Sequence, residues 1–150
     1  MSEIQGHSAL TSEDHTSSVT LASGAVIFHD GKVLLVRDQD TFWKVPGGSC
    51  DDEESIKETC IREVAEEVGL RIIPGGEPFV YVFNRYDEHA DITHYYVLFH
   101  YRAEIEGSSD LTIESGSEAA YFYPNDLPEE LAPNVALAID HFKSHNDRDN

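Results

Sequence analysis

Glu63, Glu66 and Glu67 are the residues of this chain best suited to do chemistry. They fall at i, i+3 and i+4 within Arg62-Glu63-Val64-Ala65-Glu66-Glu67-Val68, a spacing that brings three carboxylates over neighbouring turns of a helix. Like charges so placed destabilise a helix by a few tenths of a kcal/mol per pair, so a chain that keeps them has use for a cation there. Oxygen ligands without thiolate or imidazole suit a hard divalent ion such as Mg²⁺ or Mn²⁺. Taken alone, an acidic helical face is usually just solvated. Here it has company at fixed distances: Gly48 and Glu54 ahead of it, Arg62 beside it, Gly69-Leu70 behind it.

The full pattern is Gly48, five residues, Glu54, seven residues, then Arg62-Glu63, an aliphatic Val64, one residue, Glu66-Glu67, one residue, Gly69 and an aliphatic Leu70. It resembles the signature box of the Nudix hydrolases at every defined position. The resemblance implies that Glu63, Glu66, Glu67 and the carbonyl of Gly47 bind catalytic Mg²⁺ or Mn²⁺. Arg62 would orient a box glutamate through a charge-assisted bond, and Glu54 would support the loop-to-helix geometry behind the ligands. Gly47-Gly48 would bring the backbone close, as glycine permits, and Gly69 would end the helix. The implied reaction is attack of water on a phosphorus within a diphosphate linked to another group, with metal ions neutralising charge and a glutamate taking the proton. Family members differ in which glutamate is the base. Glu118, ahead of Ala119-Ala120-Tyr121-Phe122, matches a downstream acidic position in many relatives, and Glu114 is its nearest competitor.

Substrate-binding candidates are fewer. Arg37 could reach a phosphate or pair with an acid. Trp43 could stack on a base or pack beside the glycine turn. Tyr86 lies close to where dinucleoside polyphosphate hydrolases of the family carry a tyrosine. The implied substrate is a small nucleoside diphosphate derivative: ADP-ribose-like, a dinucleoside polyphosphate, or next a nucleoside triphosphate. The alternative is a non-catalytic ligand-sensing module, although such domains commonly lose box glutamates that this chain keeps. A calcium loop built from Asp38, Asp40 and Asp51-Asp52-Glu53 lacks the required spacing and central glycine. His94 and His100 share a strand face without further support for zinc, and Tyr95, Tyr96 and Tyr101 read as strand packing.

Bulk properties narrow the partners. The chain has 150 residues, 40% of them hydrophobic, enough for one globular domain. With 29 acidic residues against 10 basic ones the formal net charge is −19, which argues against nucleic acid and anionic membranes. A salt-adapted host is another reason for such a surface. No signal-like or membrane-spanning run is evident, and two cysteines, Cys50 and Cys60, do not make a secreted disulfide framework, so a cytoplasmic location with ordinary thiols is expected. Exposed sheet edges would allow a homodimer.

These residues must be positioned by a small set of elements. Residues 1–18 read as a flexible polar tail, 19–145 as a single Nudix-type domain, and 146–150 as a polar C-terminal tail. Ala25–Phe28 and Val33–Val36 flank Asp30-Gly31, a hairpin signal. Phe42–Val45 reads as a short strand into Pro46-Gly47-Gly48. A helix is expected from about Asp52 or Glu53 to Val68, capped by Asp51 with Glu54 and closed by Gly69. Ile56, Cys60, Ile61, Val64, Ala65 and Val68 would form its buried half. Pro74-Gly75-Gly76 reads as a turn, Phe79–Phe83 and Thr93–Ala103 as strands around a loop Asn84–Asp91, and 107–116 as a loop before Ala119–Tyr123. Asn134 would cap a final helix carrying Val135, Ile139 and Phe142 inward. The sum is an α/β fold, a Nudix-type α/β/α sandwich with a mixed sheet.

Overall fold

Asp30 and Gly31 both take left-handed backbone angles, φ 52° and 78°, as a two-residue turn matched to strand twist requires. They join β2 (Thr16–His29) to β3 (Lys32–Asp38), paired at Phe28↔Val33 and His29↔Lys32. This computed structural model describes residues 7–11, 16–39 and 41–149, with side chains for 16–39 and 41–143. The remaining elements are β1 (His7–Thr11), β4 (Gly47–Ser49), α1 (Ile56–Val68), β5 (Ile72–Asp87), β6 (Ile92–Ile105), β7 (Ser117–Phe122) and α2 (Pro133–Asp149).

The strands run in the order β5-β6-β2-β3-β7, with β1 and β4 also pairing on β2. The β2–β6 pair is parallel and the others are antiparallel, so the sheet is mixed, as expected. Strand alternation sends β2 into two cores. Ala25 and Ile27 join Leu34, Val36, Cys60, Val64 and Val68 under α1. Val26 joins Val33, Leu35, Val135, Ala138, Ile139 and Phe142 under α2. A helix therefore lies on each face of the sheet. Among the described residues, no helix is long and apolar enough to cross a membrane.

Several sequence expectations are corrected. Residues 1–6 and 12–15 of the expected tail lie outside the described residues, but His7–Thr11 pairs with Thr16–Thr20, and Thr16–Thr20 also runs along Ile92–Tyr96. Main-chain pairing thus flanks Thr16–Thr20 on two sides. The expected C-terminal tail is helical to Asp149; no Gly or Pro interrupts 134–149. Helix α1 begins at Ile56, not at Asp52 or Glu53, because Glu53 has φ 68° and cannot continue a helix. Its cap is Ser55, whose Oγ accepts from the Glu58 N–H at 3.0 Å while Glu58 accepts from the Ser55 N–H at 2.8 Å. Only Thr59, Cys60, Val64 and Val68 are buried along the helix; Ile61 and Ala65 face out because the packed stripe is narrower than half the wheel.

The short strand lies at Gly47–Ser49, with Trp43 and Lys44 in single bridges before it. Pro74-Gly75-Gly76 belongs to β5, where a register shift between Gly75 and Phe79 absorbs the glycines as a bulge. Strand pairing then continues as far as Asp87↔Ile92, leaving residues 88–91 as the loop. Pro133 opens α2, a favoured first position, so Asn134 is inside the helix rather than its cap. Gly69 closes α1 in the left-handed conformation, φ 74°, as expected.

Candidate active site

Arg62 organises the acidic face of α1. Its Nε donates to Glu54 Oε2 at 2.7 Å and Nη2 to Glu54 Oε1 at 3.0 Å. Nη1 donates to Glu63 at 2.7 Å and to Glu66 at 3.1 Å, and Nη2 also reaches the Ser49 carbonyl at 3.3 Å. One guanidinium thus ties the loop after the glycines to two of the three box carboxylates. Glu54 further accepts from the Thr59 hydroxyl at 2.6 Å and the Asp51 N–H at 3.1 Å. The Arg62 bond, with these two, holds the Glu54 carboxyl down to about 2, and the same pair pushes the Arg62 guanidinium further up.

Glu67 is treated differently. It accepts from the Gly47 N–H at 2.7 Å, and burial pushes its carboxyl above the usual range, against the pull of that N–H and of Lys44. The glycines permit the approach. A Cβ on Gly48 would collide with the Glu63 carboxylate, and one on Gly47 would meet the Ser23 carbonyl at 2.5 Å and the Gly24 Cα at 2.6 Å. The turn is therefore pressed between β2 and α1, and only bare backbone fits.

Glu63, Glu66 and Glu67 line a cleft of about 240 Å³ together with Asp38, Glu114, Glu118 and Arg37. The loop 107–116 and β7 bring Glu114 and Glu118 to it, and β3 brings Arg37 and Asp38. Arg37 and Glu118 are cross-strand partners. Arg37 Nε donates to Glu118 Oε1 at 3.3 Å and Nη2 to Oε2 at 3.4 Å. The guanidinium also lies 4.6 Å from the Trp43 ring centroid and 3.9 Å from Glu130.

On the far side of Gly47-Gly48 a mostly apolar pocket of about 450 Å³ opens between the sheet and the start of α2, lined by Lys44, Tyr81, Phe83, Leu98, His100 and Asn134 among others. His100, 2% exposed, has its Nδ1 3.0 Å from the Phe79 carbonyl and its Nε2 2.8 Å from Asn134 Nδ2. A carbonyl only accepts, so Nδ1 carries the proton and Nε2 accepts from the Asn134 amide. Burial lowers the His100 pKa, in keeping with that neutral form.

Two sequence candidates fall elsewhere. Tyr86 is 55% exposed, lines neither cavity, and donates to Asp91 at 2.8 Å; the longer β5 carries it to the far end of the β5–β6 ribbon. Trp43 is 7% exposed, with Arg37 over its face and Phe122 edge-on at 5.0 Å, so it packs rather than stacking on a base. Cys50 and Cys60 are both buried free thiols, and burial pushes Cys60 up to about 12. His94 bonds Ser18 at 2.6 Å, while His100 is engaged with Asn134. Sequence reasoning gave Lys44 no role and weighed His100 only for zinc and Asn134 only as a helix cap, not as a pair at a pocket wall. A lysine three residues before the glycine turn in so acidic a chain was a usable signal for the first; nothing local marks the other two.

The donor set fits a hard divalent cation: the cleft is rich in carboxylate oxygens, and among the described residues no cysteine or histidine lines it. Among the described residues no three His, Cys, Asp or Glu side chains already converge on one point. Arg62 clasps Glu63 and Glu66 while Gly47 holds Glu67, so the donors ring the cleft. A cation beside Glu67 would favour its ionised form and so oppose the effect of burial.

A family model described as the NUDIX domain matches residues 19–142. The chain is 30% identical over 108 residues to the Bacillus subtilis protein YjhB, covering 71% of this chain and 51% of that protein; it thus spans about half of that relative. It is 28% identical over 127 residues to an ADP-ribose pyrophosphatase of Methanocaldococcus jannaschii, covering 82% of this chain and 69% of that one. A solved structure of a NUDIX hydrolase from Nitrosomonas europaea shares the fold with a TM-score of 0.63 at 24% identity, over 83% of this chain and 88% of that one.

Proposed function

The chain belongs to the NUDIX family, and from that membership we propose that it is a metal-dependent hydrolase of a diphosphate linkage in a nucleoside diphosphate derivative. ADP-ribose-like compounds come first, because a relative aligned over 82% of the chain is named for ADP-ribose. Dinucleoside polyphosphates and nucleoside triphosphates follow. Tyr86, the residue that favoured the dinucleoside class, lies away from both cavities.

The observation that carries the reading is the facing of Glu63, Glu66 and Glu67 on α1 by Glu118 on β7 across one cleft, with the Gly47-Gly48 turn separating that cleft from an apolar pocket. Glu63, Glu66, Glu67 and the Gly47 carbonyl would hold Mg²⁺ or Mn²⁺, which supplies charge neutralisation and an acidified water. Arg62 fixes Glu63 and Glu66 in place. Arg37 and Lys44 bind the phosphates, and the apolar pocket holds the nucleoside with the Asn134 amide at its wall. Water oxygen then bonds to phosphorus, the bridging P–O bond breaks, and Glu118 takes the water's proton. Buried free thiols at Cys50 and Cys60 suit a cytoplasmic setting.

The test is phosphate release, after coupling to a phosphatase, from ADP-ribose, diadenosine polyphosphates, nucleotide sugars and nucleoside triphosphates with Mg²⁺ or Mn²⁺. One substrate class should stand out, and Glu67→Gln should lower its turnover about a hundredfold or more. A flat panel with tight binding of one of these compounds would instead favour a ligand-sensing module.

A further inference from the structure

Among the described residues lining the acidic cleft, Arg37 is the one cation, against Asp38, Glu63, Glu66, Glu67, Glu114 and Glu118. It is already engaged there, reaching both oxygens of Glu118 at 3.3 and 3.4 Å. Those bonds sit beyond the usual 2.7–2.9 Å of charge-assisted pairs, and Glu118 is 52% exposed. The other side of Arg37 is anchored: its guanidinium lies over Trp43, itself buried and wedged edge-on against Phe122. The arrangement is a fixed cation holding a loosely bound carboxylate. A diphosphate entering the cleft would compete for the same fork of N–H donors, which matches phosphate as well as it matches carboxylate.

We propose that Arg37 is an exchangeable clasp. In the free protein it occupies Glu118; an incoming phosphate takes Arg37, and the displaced Glu118 carboxylate is left facing the cleft, free to accept a proton. Arg37 is then both a phosphate contact and a positioning residue for Glu118, so that the base is released when a phosphate arrives. This inference rests on the diphosphate reading above.

Exchange makes a prediction that a simple charge effect does not. The probe is α,β-methylene-ADP with Mg²⁺, a diphosphate that cannot be cleaved at its bridge, with dissociation constants read by calorimetry. Glu118→Gln, which removes the carboxylate held by the Arg37 fork and leaves only the more distant Glu130 beside it, should bind the probe about threefold to tenfold tighter than wild type. Arg37→Met should weaken binding about tenfold or more, and Arg37→Lys should recover only part of it, because an ammonium keeps the charge without the fork. In the Arg37→Met background, Glu118→Gln should do no more than Glu114→Gln, which removes a charge from the same cleft without touching Arg37. Equal tightening by Glu118→Gln in both backgrounds, or weaker binding by Glu118→Gln alone, overturns the clasp while the diphosphate reading stands. Wild-type protein that fails to bind the probe overturns both. Unchanged thermal unfolding of Arg37→Met and Glu118→Gln is expected and keeps misfolding out of the comparison.

Discussion

At the scale of single residues, the acidic face of α1 is held by unequal means. Glu63 and Glu66 lean on Arg62, whereas Glu67 is buried against one backbone N–H. Glu54, behind them, is the most strongly stabilised anion, with its carboxyl held at about 2 rather than 4.5. A native value below the unfolded one means the pair contributes fully above about pH 4.5 and is lost as pH falls through about 2. The contribution is at most about 3 kcal/mol. Urea midpoints taken from about pH 6 down to about pH 3 should therefore fall more steeply in wild type than in Glu54→Gln. Equal slopes would mean that the Glu54–Arg62 pair adds nothing to folding. Most of this cluster was readable from residue types and spacing, because a helix converts i, i+3 and i+4 into one face. The Lys44 influence on Glu67 was not, since it comes from the bridged segment before the glycine turn, 23 residues away in sequence.

At the scale of elements, α1 shows how a local rule can be right in kind and misplaced by one turn. The loop offers two candidate boxes, Asp51 with Glu54 and Ser55 with Glu58. Asp51 and Glu54 do bond, the Asp51 N–H to Glu54 Oε1 at 3.1 Å, but the positive φ of Glu53 breaks the chain direction between them and the helix. The true cap is reciprocal at Ser55 and Glu58. Ser55→Ala should cost about 1 kcal/mol and Ser55→Asp much less, while Asp51→Ala stays near neutral, all by chemical denaturation. A larger loss in Asp51→Ala than in Ser55→Ala would reassign the cap. The positive φ could not be read in advance, because glutamate does not advertise it as glycine does.

At the scale of the whole molecule, a net charge of −19 repels itself across a compact body. Raising salt from about 20 mM to about 0.5 M screens charges beyond a few ångströms, so the unfolding temperature should rise by several degrees, followed by calorimetry. No rise would mean that the acidic groups are already compensated in local pairs such as those around Arg62. What the amino-acid sequence by itself determined are the features with a short period or a local steric cause: the box on one helix face, the Asp30-Gly31 hairpin, the Gly69 helix end, the alternating strands and the family that these add up to. What only the tertiary structure decided are the contacts that close over long sequence distances. The Arg37–Glu118 clasp joins residues 81 apart, and the His100–Asn134 pair joins residues 34 apart. Tyr86 lies away from the site and Trp43 is buried under Arg37 for the same reason. Strand register and helix docking, which no local pattern encodes, set which side chains meet.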